Sequence, residues 1–293
     1  MSTASPTLAD LRRRIDELDD ALHDVLIARA GVVEAVARLK QRAATPPLRP
    51  GREAQILRRL LERHRGAFPK PMLVRLWREL LAGTIAMQVE LTIAVYAPEK
   101  ATGLWDLARD HYGSHTAMSS FRSPGEVLRA LGDGRAMLGV LPVPGQGETE
   151  AWWRFLAGGE APVLRIIARL PFGARGNARS DGGDAFVVAP IEPEESGIDR
   201  SLFLIETGDD LSRARLLAAL GSAGLPASVL AATAAESGVA AQLVEFDGWL
   251  DAGDARLKET LAALGGKMLR VVWLGSYARP LAAADLAIAD SGG

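Results

Sequence analysis

The sequence predicts a multidomain chain. An all-α domain of three helices, closing as an intertwined dimer, is followed by a shortened α/β domain and then an α+β domain of ferredoxin-like order. Three observations predict this. Apolar residues recur at steps of three and four from residue 7 to about residue 42, which is helical spacing. From Leu91 the pattern changes to short apolar runs alternating with short helical stretches, the signature of an open α/β layer. The last part reads β-α-β-β-α-β. The boundaries fall at 1–90, 91–198 and 199–293.

The first helix carries Leu8, Leu11, Ile15, Leu18, Leu22, Val25, Val32, Val36 and Leu39 along one stripe. Thr7 with Asp10 resembles a helix-start cap. Ala44-Thr45-Pro46-Pro47 ends the helix, because proline cannot continue it and restricts the residue before it. A second helix is expected from Pro50 to Arg65, stopping before Gly66. A third starts near Pro69 or Pro71 and runs to Gln88, with the stripe Leu73, Leu76, Leu80 and Met87. A helix of ~36 residues spans roughly 54 Å, whereas a compact domain of ~90 residues has a radius of gyration near ~12 Å. The long helix therefore needs a partner outside its own chain, and a homodimer supplies one.

Beyond Leu91 the expected order is strand 91–96, helix 103–112, strand 117–121, helix 124–131 and strand 136–141. A tryptophan-rich helix follows over 148–157, then strands near 163–168 and 185–188. Residues 176–184 and 191–197, rich in Gly, Ser, Asp, Glu and Pro, read as loops. The final part reads strand 201–205, helix 211–221, strands 227–232 and 239–246, helix 252–264 and strand 268–274.

Composition narrows the function. The chain has 293 residues, is 48% hydrophobic and 24% charged, and carries a net charge of −2. These are ordinary globular values, so wholesale disorder is not expected. Residues 1–90 hold 16 Lys and Arg against 11 Asp and Glu, a balance of +5; the remainder holds 18 against 25, a balance of −7. The basic part is nearly all arginine, whose fork suits carboxylates and phosphates. With no cysteine, disulfides and thiolate chemistry are excluded. His23, His64, His111 and His115 have no ligand spacing, so neither metal nor cofactor is expected. The N-terminus lacks an apolar signal core, and no run reaches the ~20 apolar residues of a membrane span. A cytoplasmic protein is the expectation.

The chemistry is sought where a local rule breaks. Arg29 stands on the apolar stripe midway between Val25 and Val32, and a charge there is costly unless paired. A buried ion pair or a snorkelling arginine explains it equally well. Lys40 lies on the same face, ~16 Å further along. Arg12, ~25 Å from Arg29, cannot reach the same small ligand within one helix, but Arg12 of an antiparallel partner can. Thr84 and Gln88, four apart, share a face of the third helix. Glu53 opens the second helix, where an acid also complements the helix dipole. Together these residues describe a cation-rich pocket with one carboxylate and one amide and no nucleophile–base pair. Such a site suits a small dicarboxylate whose reaction needs no proton transfer.

At this point the residues resemble a family. Leu11 to Asp19 (LRRRIDELD), Leu26-Ile27-Ala28-Arg29, Lys40, Arg52-Glu53 and Thr84 to Gln88 are similar, in order and spacing, to the all-α chorismate mutases. The likeness is to the mutase part of the bacterial bifunctional chorismate mutase–prephenate dehydratases. The resemblance implies conversion of chorismate to prephenate in a homodimer with shared sites. By it, Arg29 and the partner's Arg12 clamp the two carboxylates, Lys40 and Gln88 reach the ether oxygen, Glu53 binds the ring hydroxyl, and Thr84 supports a carboxylate. One departure stands in Leu48 to Glu53 (LRPGRE), which has no acid before the Arg-Glu pair.

Residues 91–198 resemble a shortened prephenate dehydratase. Gly139 to Val143 (GVLPV) occupies the place of a Val-Pro-Ile-Glu-Asn segment. Gly183-Asp184-Ala185-Phe186 stands where the catalytic Thr-Arg-Phe belongs, which implies a degenerate domain. Residues 199–283 resemble an ACT regulatory domain through Leu274-Gly275-Ser276-Tyr277. Its phenylalanine-binding words are replaced by Asp210-Leu211-Ser212 and Ala235-Glu236-Ser237-Gly238. Alternatives are a bifunctional mutase–dehydratase, an isochorismate-pyruvate lyase, a non-catalytic binder of chorismate or aromatic amino acids, and a basic helical module for nucleic acid. The last would show steep salt dependence, but Arg29 on a core stripe is misplaced for a phosphate contact. No nucleic-acid or membrane partner is expected.

Overall fold

The computed structural model describes residues 5–42, 47–98, 102–145, 150–159, 161–177, 179, 183–208, 211–233, 238–265 and 268–287. Of residues 40–42 and 268 it describes the backbone alone. The expected stop at 44–46 thus lies outside the described residues. Contacts within the chain group it into two compact units. The first comprises residues 1–47 and 84–90; the second comprises 48–83 and 91–293.

The first unit is dominated by α1, Leu8–Arg42. Its start is the expected cap. The Asp10 amide donates to Thr7 Oγ1 at 3.2 Å, and the Thr7 amide donates to Asp10 Oδ2 at 3.1 Å. Each thereby satisfies a helix-end group that has no intrahelical partner. The stripe from Leu8 to Leu39 does not form a core within the chain: all nine of its side chains remain 41–65% exposed. The face of α1 that is partly buried runs instead through Leu26, Arg29, Ala30, Val33 and Ala37. Exposed apolar side chains repeated over the length of a helix have no reason to persist in water unless another surface covers them.

Two helices follow: α2, Pro50–Arg63, and α3, Lys70–Ala86. Pro50 sits at the start of α2, where its missing N–H is not needed. Gly51 allows α2 to approach residue 194 closely; a Cβ there would lie 2.7 Å from the Glu194 carbonyl oxygen. Arg49 forms a salt bridge with Glu194 at 2.8 Å. The acid-free turn before Glu53 is thus the place where α2 docks on the segment 191–197. The buried face of α3 differs from the expected stripe. Val74, Arg78, Leu81 and Ile85 are buried, whereas Leu76 and Met87 are exposed. A helix that packs in two places can bury a face other than its most apolar one.

The rest of the second unit forms one sheet. Its strands are β1 (Thr92–Tyr96), β2 (Ala117–Phe121), β3 (Leu138–Pro142), β4 (Arg165–Leu170), β5 (Ala185–Ala189), β6 (Asp199–Gly208), β7 (Ala227–Ala232), β8 (Val239–Asp247) and β9 (Met268–Ala278). Four helices intervene or follow: α4 (Gly103–Tyr112), α5 (Pro124–Gly132), α6 (Arg213–Ser222) and α7 (Ala255–Ala263); a single turn, α8 (Ala283–Leu286), lies near the C-terminus. The strand order is β2-β1-β3-β5-β4-β9-β6-β8-β7. β1 runs parallel to β2 and β3, and α4 and α5 lie in the crossovers that parallel strands need. The order β9-β6-β8-β7, all antiparallel, is the ferredoxin-like order expected from the sequence.

The two halves of the sheet join where β4 pairs parallel to β9 at Ile166 and Gly275. Gly275 has φ 135°, and a Cβ there would lie 2.2 Å from the Ile166 carbonyl oxygen. The glycine of Leu274-Gly275-Ser276-Tyr277 is therefore what lets the halves meet. The expected helix over 148–157 is a short 3-10 stretch, Trp152–Gly158. Trp152, Trp153, Leu156 and Ala157 all drop into the core, and Gly159 in a left-handed conformation ends the stretch. Three bulky side chains aimed one way favour a compact anchor over a regular amphipathic helix.

Candidate functional site

In the first unit the structure brings three of the singled-out residues together. Arg29 Nη1 donates to Thr84 Oγ1 at 2.7 Å, so the arginine that breaks the stripe of α1 meets the threonine at the end of α3. Gln88 Nε2 donates to the Thr84 carbonyl oxygen at 3.0 Å. Its Oε1 is buried without a hydrogen-bond partner. An amide that satisfies one end on its own helix and leaves the other unpaired bears an unmet demand, which a ligand can satisfy. Arg29 and Thr84 were legible for one reason: each follows the apolar spacing of its helix, Arg29 between Val25 and Val32 and Thr84 four residues after Leu80, where an apolar group is expected.

Arg12 is exposed, seventeen positions before Arg29 on the same helix, and among the described residues nothing brings it to the others. The backbone of Lys40 continues α1, and its side chain lies outside the described residues. Among the described residues no group of three His, Asp or Glu is placed to hold a metal.

Glu53 belongs to the second unit and is only 8% exposed. Its Oε2 accepts a hydrogen bond from Arg78 Nη1 at 2.8 Å. Arg78 is 4% exposed and lies over the Phe172 ring, 4.9 Å from its centroid. Burial pushes the Arg78 pKa down, against the pull of the Glu53 carboxylate. The same burial, with the charge of Glu53, pushes the Tyr112 hydroxyl up. Glu53 is therefore more than a dipole-complementing surface acid. Arg78 is the functional-looking residue that sequence reasoning missed. It breaks the stripe Val74-Arg78-Leu81-Ile85 as Arg29 breaks that of α1, and reading α3 on that face would have found it.

The segment Gly183 to Phe186 is structured around a carboxylate. Asp184, standing where a catalytic Thr-Arg belongs in the resemblance, accepts from Arg169 Nη2 at 2.9 Å and from Arg175 Nη2 at 2.8 Å. Arg169 also reaches Glu245 at 3.5 Å, and the Tyr277 hydroxyl donates to the same carboxylate. Burial opposes the charge on Arg169, but Tyr277, Asp184 and Glu245 outweigh it and hold its pKa above the usual value. This network ties β4 and the start of β5 to β8 and β9. Gly139 to Val143 form the buried β3 and the residue after it, and a Cβ at Gly139 would meet Val127 and Leu131 at 2.8 and 2.9 Å. Of the two replaced regulatory words, Leu211 is buried and Ser212 caps α6 by accepting from the Arg215 amide. Asp210 and residues 235–237 lie outside the described residues.

Residues 11–89 match the sequence model of the family described as Chorismate mutase type II. The bifunctional chorismate mutase/prephenate dehydratase of Pseudomonas aeruginosa is 31% identical over 146 residues, covering 48% of this chain and 40% of that protein. The protein so named from Stutzerimonas stutzeri is 32% identical over 147 residues, with the same coverage. The chain thus matches about two fifths of the length of these curated relatives. Among solved structures, a prephenate dehydratase from Arthrobacter aurescens in complex with L-Phe superposes with a TM-score of 0.48 at 16% identity, over 68% of this chain and 94% of that one. A prephenate dehydratase from Streptococcus mutans gives 0.46 at 15% identity, over 65% and 98%. Residues 11–89 are thus similar to type II chorismate mutases, and an α/β region follows them.

Proposed function

We propose that this chain is a chorismate mutase, an isomerase that rearranges chorismate to prephenate. The observation that carries this is the hydrogen bond from Arg29 to Thr84, with the amide of Gln88 anchored by its nitrogen on the same residue's carbonyl. In this reading Arg29 holds one carboxylate of chorismate, and Thr84 fixes the guanidinium that does so. The rearrangement is unimolecular and moves no proton, so the protein's task is to hold the compact, reactive conformer. Negative charge grows on the ether oxygen as the C–O bond breaks. Gln88 and Lys40 supply donors there, preorganised before the charge develops. The Gln88 amide nitrogen has two hydrogens: the Thr84 carbonyl holds one, and the second is the donor to the ligand.

Arg12 of the partner subunit supplies the second carboxylate contact, so the active form is a homodimer with two shared sites. The uncovered stripe of α1 supports this, since a second copy of the same stripe is its natural cover. The assignment of Glu53 to the ring hydroxyl rests on the family resemblance, with Arg78 orienting the carboxylate. The middle region is a degenerate dehydratase relative that no longer catalyses, and residues 199–293 form an ACT-like domain. Support for the first point is Asp184, which two arginines neutralise where the resemblance expects a threonine and an arginine.

One assay tests the reading. Purified protein is given chorismate, substrate loss is followed by ultraviolet absorbance, and products are separated by chromatography. Prephenate as the sole product is expected. Phenylpyruvate formed without acid treatment would show a living dehydratase, and untouched chorismate would overturn the mutase assignment.

A further inference from the structure

We propose that the cavity enclosed by α3, α4 and the segment after β4 is a binding site for a small carboxylate bearing a single aromatic ring. The cavity lies wholly in the second unit and has a volume of about 150 Å³. A cavity of about that volume holds one benzene ring. Its apolar walls include Val74, Leu107 and Phe172, all buried. Arg75, Arg78 and Arg175 line it with the carboxylate of Asp110, and Glu53 and Asp184, outside the lining, hold Arg78 and Arg175. His111, also in the wall, is kept neutral, because burial and the nearby Arg78 hold its pKa well below the usual value.

The arrangement has the marks of a built site. Arg78 is buried, one nitrogen is held by Glu53, and its Nε has no hydrogen-bond partner. Arg75 is held in place through Nη2 by Asp110 at 2.7 Å. The covering segment is fitted closely to this pair. A Cβ at Gly176 would lie 2.3 Å from Asp110 Oδ2 and 2.9 Å from Arg75 Nη1, and one at Gly173 would lie 3.1 Å from Val74 Cγ1. Two glycines therefore set the height of the slot. Arg175 in the same segment is anchored outward by Asp184. Fixed guanidinium groups beside an apolar, ring-sized space select a planar ring with a carboxylate. The forks bind the anion and their faces pack on the ring.

Of the groups that line this cavity only Arg78 bears on the proposed rearrangement, through the Glu53 carboxylate it holds. The probe is benzoate, titrated calorimetrically into the intact chain without chorismate, so the result stands apart from the mutase reading. Acetate, which lacks the ring, and benzyl alcohol, which lacks the charge, serve as comparisons. Benzoate is expected to saturate one site per chain, with both comparisons at least about tenfold weaker. Arg75→Gln is expected to weaken benzoate by roughly tenfold or more, the effect of losing one charge-assisted hydrogen bond, with Arg75→Lys in between. Arg75 is half exposed, so these variants should keep the thermal midpoint of the parent. Absence of saturable benzoate binding in the millimolar range, binding unchanged in Arg75→Gln, or equal affinity for acetate would each overturn the proposal.

Discussion

If the stripe of α1 is covered by a second copy, placing charge in its middle should separate the subunits. Leu18 and Leu22 are each 54% exposed and one helical turn apart. Full burial of such a side chain contributes about 1.5–3 kcal/mol, so each stands to gain roughly 1 kcal/mol from a partner. The nine side chains of the stripe, counted on both copies, offer roughly 18 kcal/mol. Association costs about 4–15 kcal/mol, so the balance favours a dimer. Leu18→Asp with Leu22→Asp removes about 4 kcal/mol of this across two copies and places carboxylates in an apolar seam. The dimer should weaken about a thousandfold or more, at 1.4 kcal/mol per factor of ten. Sedimentation velocity over a concentration series reads the change, and circular dichroism checks that the helices persist. If Arg12 is supplied by the partner, as proposed, chorismate turnover should fall in parallel. A wild-type protein that is monomeric while fully active would refute the reasoning, as would a double variant that stays dimeric.

Three further outcomes are expected. Gln88→Ala should lower turnover by about 10²–10³-fold, the loss of one donor to developing charge, while leaving the oligomer intact; near wild-type rates would remove Gln88 from the site. Arg78→Ala should destabilise the fold by about 3–5 kcal/mol in denaturant unfolding, since it leaves Glu53 buried without its cation. Pairing it with Glu53→Gln should recover part of that loss, and no recovery would mean that Arg78 acts by packing on Phe172 alone. Asp106 is 1% exposed; burial raises its pKa, but Arg179, with Arg109, lowers it further, so the net shift is downward. A carboxyl with a depressed folded-state value adds stability above its ordinary value of about 3.9 and loses it as the pH falls through the folded value. The stability gap between wild type and Asp106→Asn should therefore narrow in thermal melts taken from neutral pH down to pH ~3; a constant gap would deny the ionic contribution.

Much of the fold was legible because the signals are local. The cap of Thr7 and Asp10 involves neighbours in sequence. So does the alternation of strands from Leu91 onward. The meeting of Arg29 with Thr84 was legible in part: each residue broke an apolar period, but their mutual contact spans 55 positions and leaves no mark in either helix alone. The face of α3 was misread because Leu76 and Met87 are as apolar as the residues that are buried. What turns Arg78 inward is Glu53 and Phe172, one on another helix and one beyond β4. The extent of the exposed stripe on α1 could not be read from periodicity either, since a stripe signals that something is covered and not which chain covers it.

Asp184 shows how the middle region came to be stable without its expected chemistry. A catalytic arginine or threonine at that place would be held ready for a substrate and would leave polar groups only partly paired. Here the polarity is reversed: one carboxylate accepts from Arg169 and Arg175, and Arg169 passes on to Glu245, which Tyr277 also engages. A network closed on itself in this way favours rigidity over ligand binding. It lies beside the seam where Gly275 lets β9 reach β4. Arg169, Asp184, Glu245 and Tyr277 thus bind the two halves of the sheet to each other. If so, Asp184→Thr would not revive catalysis: it would leave Arg169 and Arg175 without their shared carboxylate and loosen the seam.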